Sequence, residues 1–504
     1  MSKSGHAGIK KDTRLMRKGC HGFSVREILA VAVFWLISFH LAAQDAERPD
    51  VLFITIDDLN DWVSVLDGHS QVRTPNMERL AARGLTFTNA HASAVVCNPS
   101  RTSFLTGLRP STSGVYMNSP RDRAYPVRTL PGFFKDAGYQ TLGAGKLFHR
   151  GNNDKTAWSV YYPALDVERP DKIMPSGSVP TNKSPFKGGR FGIDFDWAPL
   201  VAEDQAMADG QVVDWSAQQI LATRSVPRFS GVGIYRPHPP WYVPGKYFEM
   251  YPLKAIELPL TTDNDLEDVS DLALKVNSVD TVSLDGVSGR SIHEWVIAND
   301  LWTQAVQGYL ASVSFSDALL GRLLDALDES GRASSTVIVM LGDHGFHVGE
   351  KSVYGKKTLW RESTRIPLII VAPGQTQPGT RTDATVSLLD LYPTLIDLAG
   401  IGTPEHLEGT SLVPLLKNPD LEWDRPALTT HGYGNHSVTG DRYHYIRYSD
   451  GSEELYDLIS DPHEYVNLAE EPGLAGVKND LGKWFPEHNE PDTRGISFPW
   501  REVE

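Results

Sequence analysis

Short apolar runs ending in charged residues recur along this chain between stretches of helical periodicity, and that alternation constrains the fold most. Residues 50–57, Asp-Val-Leu-Phe-Ile-Thr-Ile-Asp, are continuously apolar between two carboxylates, branched, and too short for a stable helix. Unbroken rather than alternating hydrophobicity is the mark of a strand buried on both faces, as in a parallel sheet covered by helices. Residues 139–144, 229–234, 336–341 and 367–372 read the same way. Between them, Thr74-Pro75-Asn76 starts a short helix through Arg83 that Gly84 stops. A long helical pattern over 304–328 is closed by Gly331, and another covers 388–399. The expectation is an α/β sandwich with a mainly parallel central sheet.

Two stretches break the rhythm. Residues 150–200 are rich in Pro, Gly, Lys and Trp, and residues 260–292 are acidic and rich in Ser and Thr. Both read as long surface insertions, which in α/β enzymes often rim the site. After Pro414 the pattern changes to short β-like runs at 427–431, 443–448 and 454–458, then a C-terminal helix. This divides the chain into a main domain over 44–419 and a smaller α+β subdomain over 420–504.

At the amino end, the apolar run 28–39 follows Lys10, Lys11, Arg14, Arg17, Lys18 and Arg26. It is too short to span a bilayer comfortably and reads as the core of a signal peptide, with cleavage after Ala43. The expectation is an exported protein, periplasmic or secreted, with no stable membrane span. Removing residues 1–43 takes away seven Lys/Arg and two Asp/Glu, moving the net charge from −15 to −20. So acidic a surface argues against a nucleic-acid partner, and any anionic substrate must be met by a local cationic pocket.

Of the chain's two cysteines only Cys97 survives that cleavage, so it forms no internal disulfide. Pro99 suits the first turn of a helix, and Arg101, four residues after the cysteine, returns to the same helix face. Cys97 then sits at a helix N-terminus beside a fixed cation, a setting that stabilises anionic groups. Asp57 and Asp58 end the first apolar run and Asp343 follows another. Adjacent carboxylates repel unless a cation holds them, and three acids at strand ends suit a hard metal. A zinc site of His344, His347 and Glu350 is the weaker alternative.

In order along the chain, Asp57-Asp58, Thr74-Pro75-Asn76, Cys97-Asn98-Pro99-Ser100-Arg101, Gly145-Lys146, Gly342-Asp343-His344-Gly345, Leu389-Asp390-Leu391-Tyr392-Pro393-Thr394 and Glu454-Leu455-Tyr456-Asp457-Leu458 resemble the type I sulfatases. Lys146-x-x-His149, Arg236-Pro237-His238 and Asp343-His344 look most like the iduronate-2-sulfatase branch and its bacterial members. The resemblance implies an alkaline-phosphatase-like fold and hydrolysis of O-sulfate esters on a carbohydrate, of a glycosaminoglycan or an algal polysaccharide. It implies that a maturation enzyme oxidises Cys97 to formylglycine, whose hydrate is the nucleophile. One calcium ion, with magnesium second, would be held by Asp57, Asp58, Cys97, Asp343 and His344. Arg101 and the metal would activate the nucleophile. Lys146 would bridge it to a sulfate oxygen, and His149 would take a proton from it. His238 and Lys356, the latter rather than its neighbour Lys357, would contact the sulfate ester and its leaving oxygen. Two other readings keep the fold: a phosphomonoester or phosphodiester hydrolase, and an inactive glycan-binding homologue. Cys97 in place of a hydroxyl nucleophile, and basic groups in place of a second metal cluster, favour the sulfatase.

Overall fold

The computed structural model describes residues 48–118, 127–149, 152–163, 195–277 and 289–493. The expected leader and most of the 150–200 insertion lie outside the described residues. Among the described residues, a nine-stranded sheet organises the fold. Its main path runs Thr380–Thr382, Leu85–His91, Arg365–Val371, Thr336–Gly342, Asp50–Ile56, Arg228–Ile234, Gln140–Gly145, Val160–Tyr162. Asp50–Ile56 lies at the centre, parallel to Arg228–Ile234 on one side and to Thr336–Gly342 on the other. Arg365–Val371 runs antiparallel to both its neighbours.

The central strand shows why its sequence is continuously apolar. Leu52, Ile54 and Ile56 pack into one core while Val51 and Phe53 pack into the other, on opposite faces of the sheet. The first core is covered by the helix Trp302–Glu329, through Val306, Leu310, Val313 and Leu320 among others. The second is covered by the helix Leu391–Ala399, through Leu391, Leu395 and Ile396. No described helix is long and apolar enough to cross a membrane.

Two strands escape the hydrophobic pattern. Leu85–His91 carries two threonines and an asparagine, and His436–Thr439 holds one aliphatic residue. Both are strands because partners on each side pair with them. His436–Thr439 belongs to an antiparallel sheet of four, Ala427–Thr430, His436–Thr439, Tyr443–Arg447 and Glu453–Asp457, against which the helix Ala475–Gly482 packs. This smaller sheet docks just before Cys97: Thr430 N donates to Ser93 O at 3.0 Å, and Thr429 Oγ1 to Ala92 O at 2.6 Å. The described part of the 260–292 insertion is more than surface. Its helix Asp271–Val276 buries Ala273 and Val276 with Trp360 and Tyr456.

The topology brings one edge of the main sheet into use. Parallel strands present their carboxyl ends there, followed by Asp57-Asp58, Lys146, Tyr235 and Asp343, and the antiparallel Arg365–Val371 presents its amino end, preceded by Lys356. Strands Gln140–Gly145 and Arg228–Ile234 approach closely at this edge: Lys146 N donates to Gly233 O at 2.9 Å, and a Cβ on Gly233 would overlap the Lys146 backbone. Gly233→Ala should therefore cost about 1–3 kcal/mol through overpacking. An unaltered thermal midpoint in that variant would contradict this close approach.

Candidate active site

Cys97 opens the helix Cys97–Thr106, all ten of whose residues are buried. Val96 is extended and Gly107 ends the helix at φ 71°, in the left-handed region that glycine adopts without strain. Ser100 N closes the first turn on Val96 O, while Asn98 N is met by Asn118 Oδ1 at 2.8 Å. The Cys97 sulfur thus faces the sheet edge from a helix start, as its spacing to Pro99 and Arg101 predicts.

Arg101 reaches from the next turn beneath it and is only 1% exposed. Its Nε donates to Asp343 Oδ2 at 2.8 Å and its Nη2 to Asp57 Oδ1 at 3.1 Å. Its Nη1 meets the carbonyls of Lys146 and Leu147 and, at 3.3 Å, Thr55 Oγ1. Planar donors in a fixed fork suit this arrangement, which a lysine cannot reproduce. Ser100 Oγ adds a bond to Asp343 O at 2.5 Å.

Around the sulfur stand Lys356 Nζ at 3.0 Å, His344 Nε2 at 3.3 Å and Lys146 Nζ at 3.6 Å. Lys146 also pairs with Asp57 Oδ2, and Lys356 with Asp58 Oδ1 at 2.5 Å. The two aspartates, though adjacent, differ electrostatically. Burial would raise the Asp57 carboxyl, but Lys146 and Arg101 outweigh it and hold it well below the usual range. For Asp58 burial prevails over Lys356, with Asp57 adding repulsion, and the carboxyl is pushed up to about 7. Its Oδ2 is buried without a hydrogen-bond partner, and its backbone is left-handed at φ 59°. An orphaned carboxylate oxygen in such a place is costly unless a cation meets it.

Asp57, Asp58, Cys97 and His344 each offer a ligand atom, and all four atoms lie within 4.8 Å of one another. Asp343, expected among the metal residues, stands outside this tight group. Its Oδ1 accepts from Asp58 N at 3.1 Å and His344 N at 3.0 Å, and its Oδ2 holds Arg101. His344 Nδ1 lies 3.0 Å from the Gly345 carbonyl, which can only accept, so the Nε2 lone pair is turned toward the sulfur. That is the tautomer a metal ligand needs, fixed by an outer carbonyl. The alternative zinc set is not assembled. His347 Nε2 is 2.7 Å from Thr358 Oγ1, and Glu350 Oε2 accepts from Val348 N at 2.6 Å.

His238 follows the Arg228–Ile234 strand, its Nε2 3.9 Å from Asp58 Oδ2 and its Nδ1 2.7 Å from Pro239 O. Burial, reinforced by Lys356 and Lys146, holds its imidazole well below its ordinary pKa. His149 is likewise pushed down to about 3, chiefly by burial, and its Nδ1 has no partner. Lys357 has a left-handed backbone at φ 76° with its N bonded to Val95 O, and Lys356 is the lysine whose Nζ reaches the Cys97 sulfur and Asp58.

Sequence patterns did not single out Tyr235 or Asp209. The Tyr235 ring has Lys146 Nζ 5.0 Å from its centre and packs against His238, tilted by 32° with ring centres 4.6 Å apart. Asp209 accepts from Tyr235 N and Arg236 N at 2.8 and 3.1 Å, fixing the turn that carries His238. Tyr235 could have been found by its place directly after a parallel strand. Asp209, on the helix Ala208–Leu221, carried no such signal.

Residues 49–401 match the sulfatase family, and residues 349–490 match the family described as N-sulphoglucosamine sulphohydrolase, C-terminal. The chain belongs to the sulfatase family, and its reaction is hydrolysis of a sulfuric ester. It is 38% identical over 441 residues to a sulfatase of Formosa agariphila, covering 84% of each chain. It is 31% identical over 426 residues to the iduronate 2-sulfatase of Homo sapiens, covering 74% of this chain and 75% of that one. Among solved structures, a phosphonate monoester hydrolase of Agrobacterium radiobacter superimposes with a TM-score of 0.72 at 22% identity, covering 86% of this chain and 94% of that one. This likeness establishes the alkaline-phosphatase-like fold.

Removing Arg101 would leave two buried carboxylates facing each other across a cavity. Arg101→Ala should destabilise the chelated protein by about 3–5 kcal/mol in urea unfolding, the range for breaking a buried ion pair from one side. An unchanged urea midpoint would show that Arg101 does not hold the site together.

Proposed function

We propose that this protein is an exported, calcium-dependent carbohydrate sulfatase whose nucleophile is a formylglycine made from Cys97 by a maturation enzyme. The observation that carries the reading is the convergence of Lys356, His344 and Lys146 on the Cys97 sulfur, beside two adjacent buried aspartates. The donor set fits a hard cation: two carboxylates, one with an orphaned oxygen, and an imidazole in the metal-binding tautomer. Asp57, Asp58, His344 and residue 97 would hold it, with Asp343 completing the acidic wall.

When present, the formylglycine hydrate supplies one hydroxyl to attack sulfur and another to expel sulfate, and the calcium ion offsets negative charge. The chain's own groups do the rest. Lys146 and Lys356 flank residue 97 and offer ammonium hydrogens to sulfate oxygens. Arg101 keeps Asp57 ionised and in place. His149 rests neutral because burial and then Lys146 disfavour its imidazolium, and its unpartnered Nδ1 would take up a proton once an anionic sulfate offsets those cations. His238 rests neutral with its Nδ1 hydrogen on Pro239 O, and an entering sulfate dianion or ester favours its imidazolium, which then faces the leaving oxygen through Nε2.

A sugar alkoxide leaves poorly without a proton, whereas an activated phenoxide leaves readily. Lys356→Ala and His238→Ala should therefore lower turnover of a sugar sulfate roughly a hundredfold more than that of an aryl sulfate. Arg101→Ala should reduce both alike. Chelation should abolish sulfate release, and calcium should restore it. Equal losses on both substrates for all three variants, faster turnover of the matching phosphate ester, or stoichiometric zinc would each contradict the reading. Export rests on the apolar run 28–39, and the protein recovered from a bacterial host should begin near Gln44. Retention of residues 1–43 would overturn it.

A further inference from the structure

Lys356 enters the site from a stretch with little regular structure. Between Glu350 and Arg361 the only ladder is Tyr354–Gly355 against His347–Val348. Lys351, Ser352 and Lys357 all take left-handed backbones, at φ 51°, 55° and 76°. Non-glycine residues stay there only where their surroundings over-determine them. The surroundings here are a buried polar network that the catalytic reading does not use.

The Lys351 side chain is 1% exposed. Its Nζ donates to Asp265 Oδ1 at 2.7 Å and to Glu464 O at 2.6 Å. It lies over the rings of Trp360, Tyr456 and Tyr465 at 5.1, 5.8 and 5.8 Å. Glu464, itself left-handed at φ 59°, meets His444 Nδ1 at 2.5 Å and accepts from Arg361 N at 2.9 Å. Leu359 N donates to Asn277 Oδ1 at 2.9 Å, and Trp360 Nε1 to Glu454 Oε2 at 2.8 Å. Both ends of the Lys356 stretch are thus gripped by the 265–277 excursion and the C-terminal sheet. A buried ion pair is seldom worth more to stability than an apolar pair of the same volume, so a role in specifying geometry suits the Lys351 pair better than one in stability.

We propose that Lys351 is a positioning residue for Lys356, and that its burial against Asp265 and Glu464 is how the 265–277 excursion and the segment after the C-terminal sheet set the place of that lysine over residue 97. The inference rests on the proposed role of Lys356. The test is steady-state turnover of a sugar sulfate by metal-loaded, Cys97-matured enzyme carrying Lys351→Met, Lys356→Ala, or both. Lys351→Met should lower kcat by about tenfold to a hundredfold, as a misplaced catalytic group does, with little change in KM. In the Lys356→Ala background the same substitution should lower kcat by less than about twofold, because neighbours acting as a unit are not additive. Lys351→Arg should recover part of the loss. Asp265→Asn should reproduce the pattern, and it carries the test if Lys351→Met does not fold. Losses that multiply in the double variant, or full kcat in a folded Lys351→Met, would overturn the positioning role while leaving the catalytic one intact. A harmless Lys356→Ala would overturn the catalytic role instead.

Discussion

The buried guanidinium of Arg101 is the contact on which the site depends. It neutralises Asp57 and Asp343, which end two neighbouring strands, and it satisfies the carbonyls of Lys146 and Leu147 after a third. Like charges at the ends of parallel strands would otherwise force the sheet edge apart or fill it with water. Because Arg101 lies on the same helix as Cys97, one turn apart, fixing the cation also fixes the nucleophile's position. Family membership and geometry agree here: the arginine that the motif requires is the group that ties strands and helix together.

The charges above Arg101 are balanced differently. Asp57 is held ionised by two cations, whereas Asp58 is buried more deeply than its single lysine can offset. The orphaned oxygen of Asp58 and the outward lone pair of His344 face the same space as the Cys97 sulfur. A cation in that space would meet the orphaned oxygen, and an anionic sulfate ester would meet the ammonium groups of Lys146 and Lys356 beside it.

Much of this was legible in the sequence, for identifiable reasons. Strand ends announce themselves where an apolar run meets Asp57-Asp58 or Asp343, and the Pro99 to Arg101 spacing predicts the helix start. The register between Lys356 and Lys357 came from motif resemblance, and Lys356 is the one whose Nζ lies 3.0 Å from the Cys97 sulfur. Strands Leu85–His91 and His436–Thr439 were hidden because pairing, not hydrophobicity, makes them strands. Asp343 was expected at the metal, and its bonds to Arg101 Nε, Asp58 N and His344 N add a structural task that a strand-end acid does not reveal in sequence. The Lys351 network was invisible because its partners stand 86 and 113 positions away along the chain.

The central claim is that this charged edge exists to hold an oxidised residue 97 rather than a thiol. Peptide mass spectrometry across Cys97, on protein produced with a maturation system and shown to release sulfate, tests it most directly. The account predicts a residue lighter than cysteine that reacts with carbonyl reagents, in proportion to the specific activity. An active preparation containing only the unmodified thiol would contradict it.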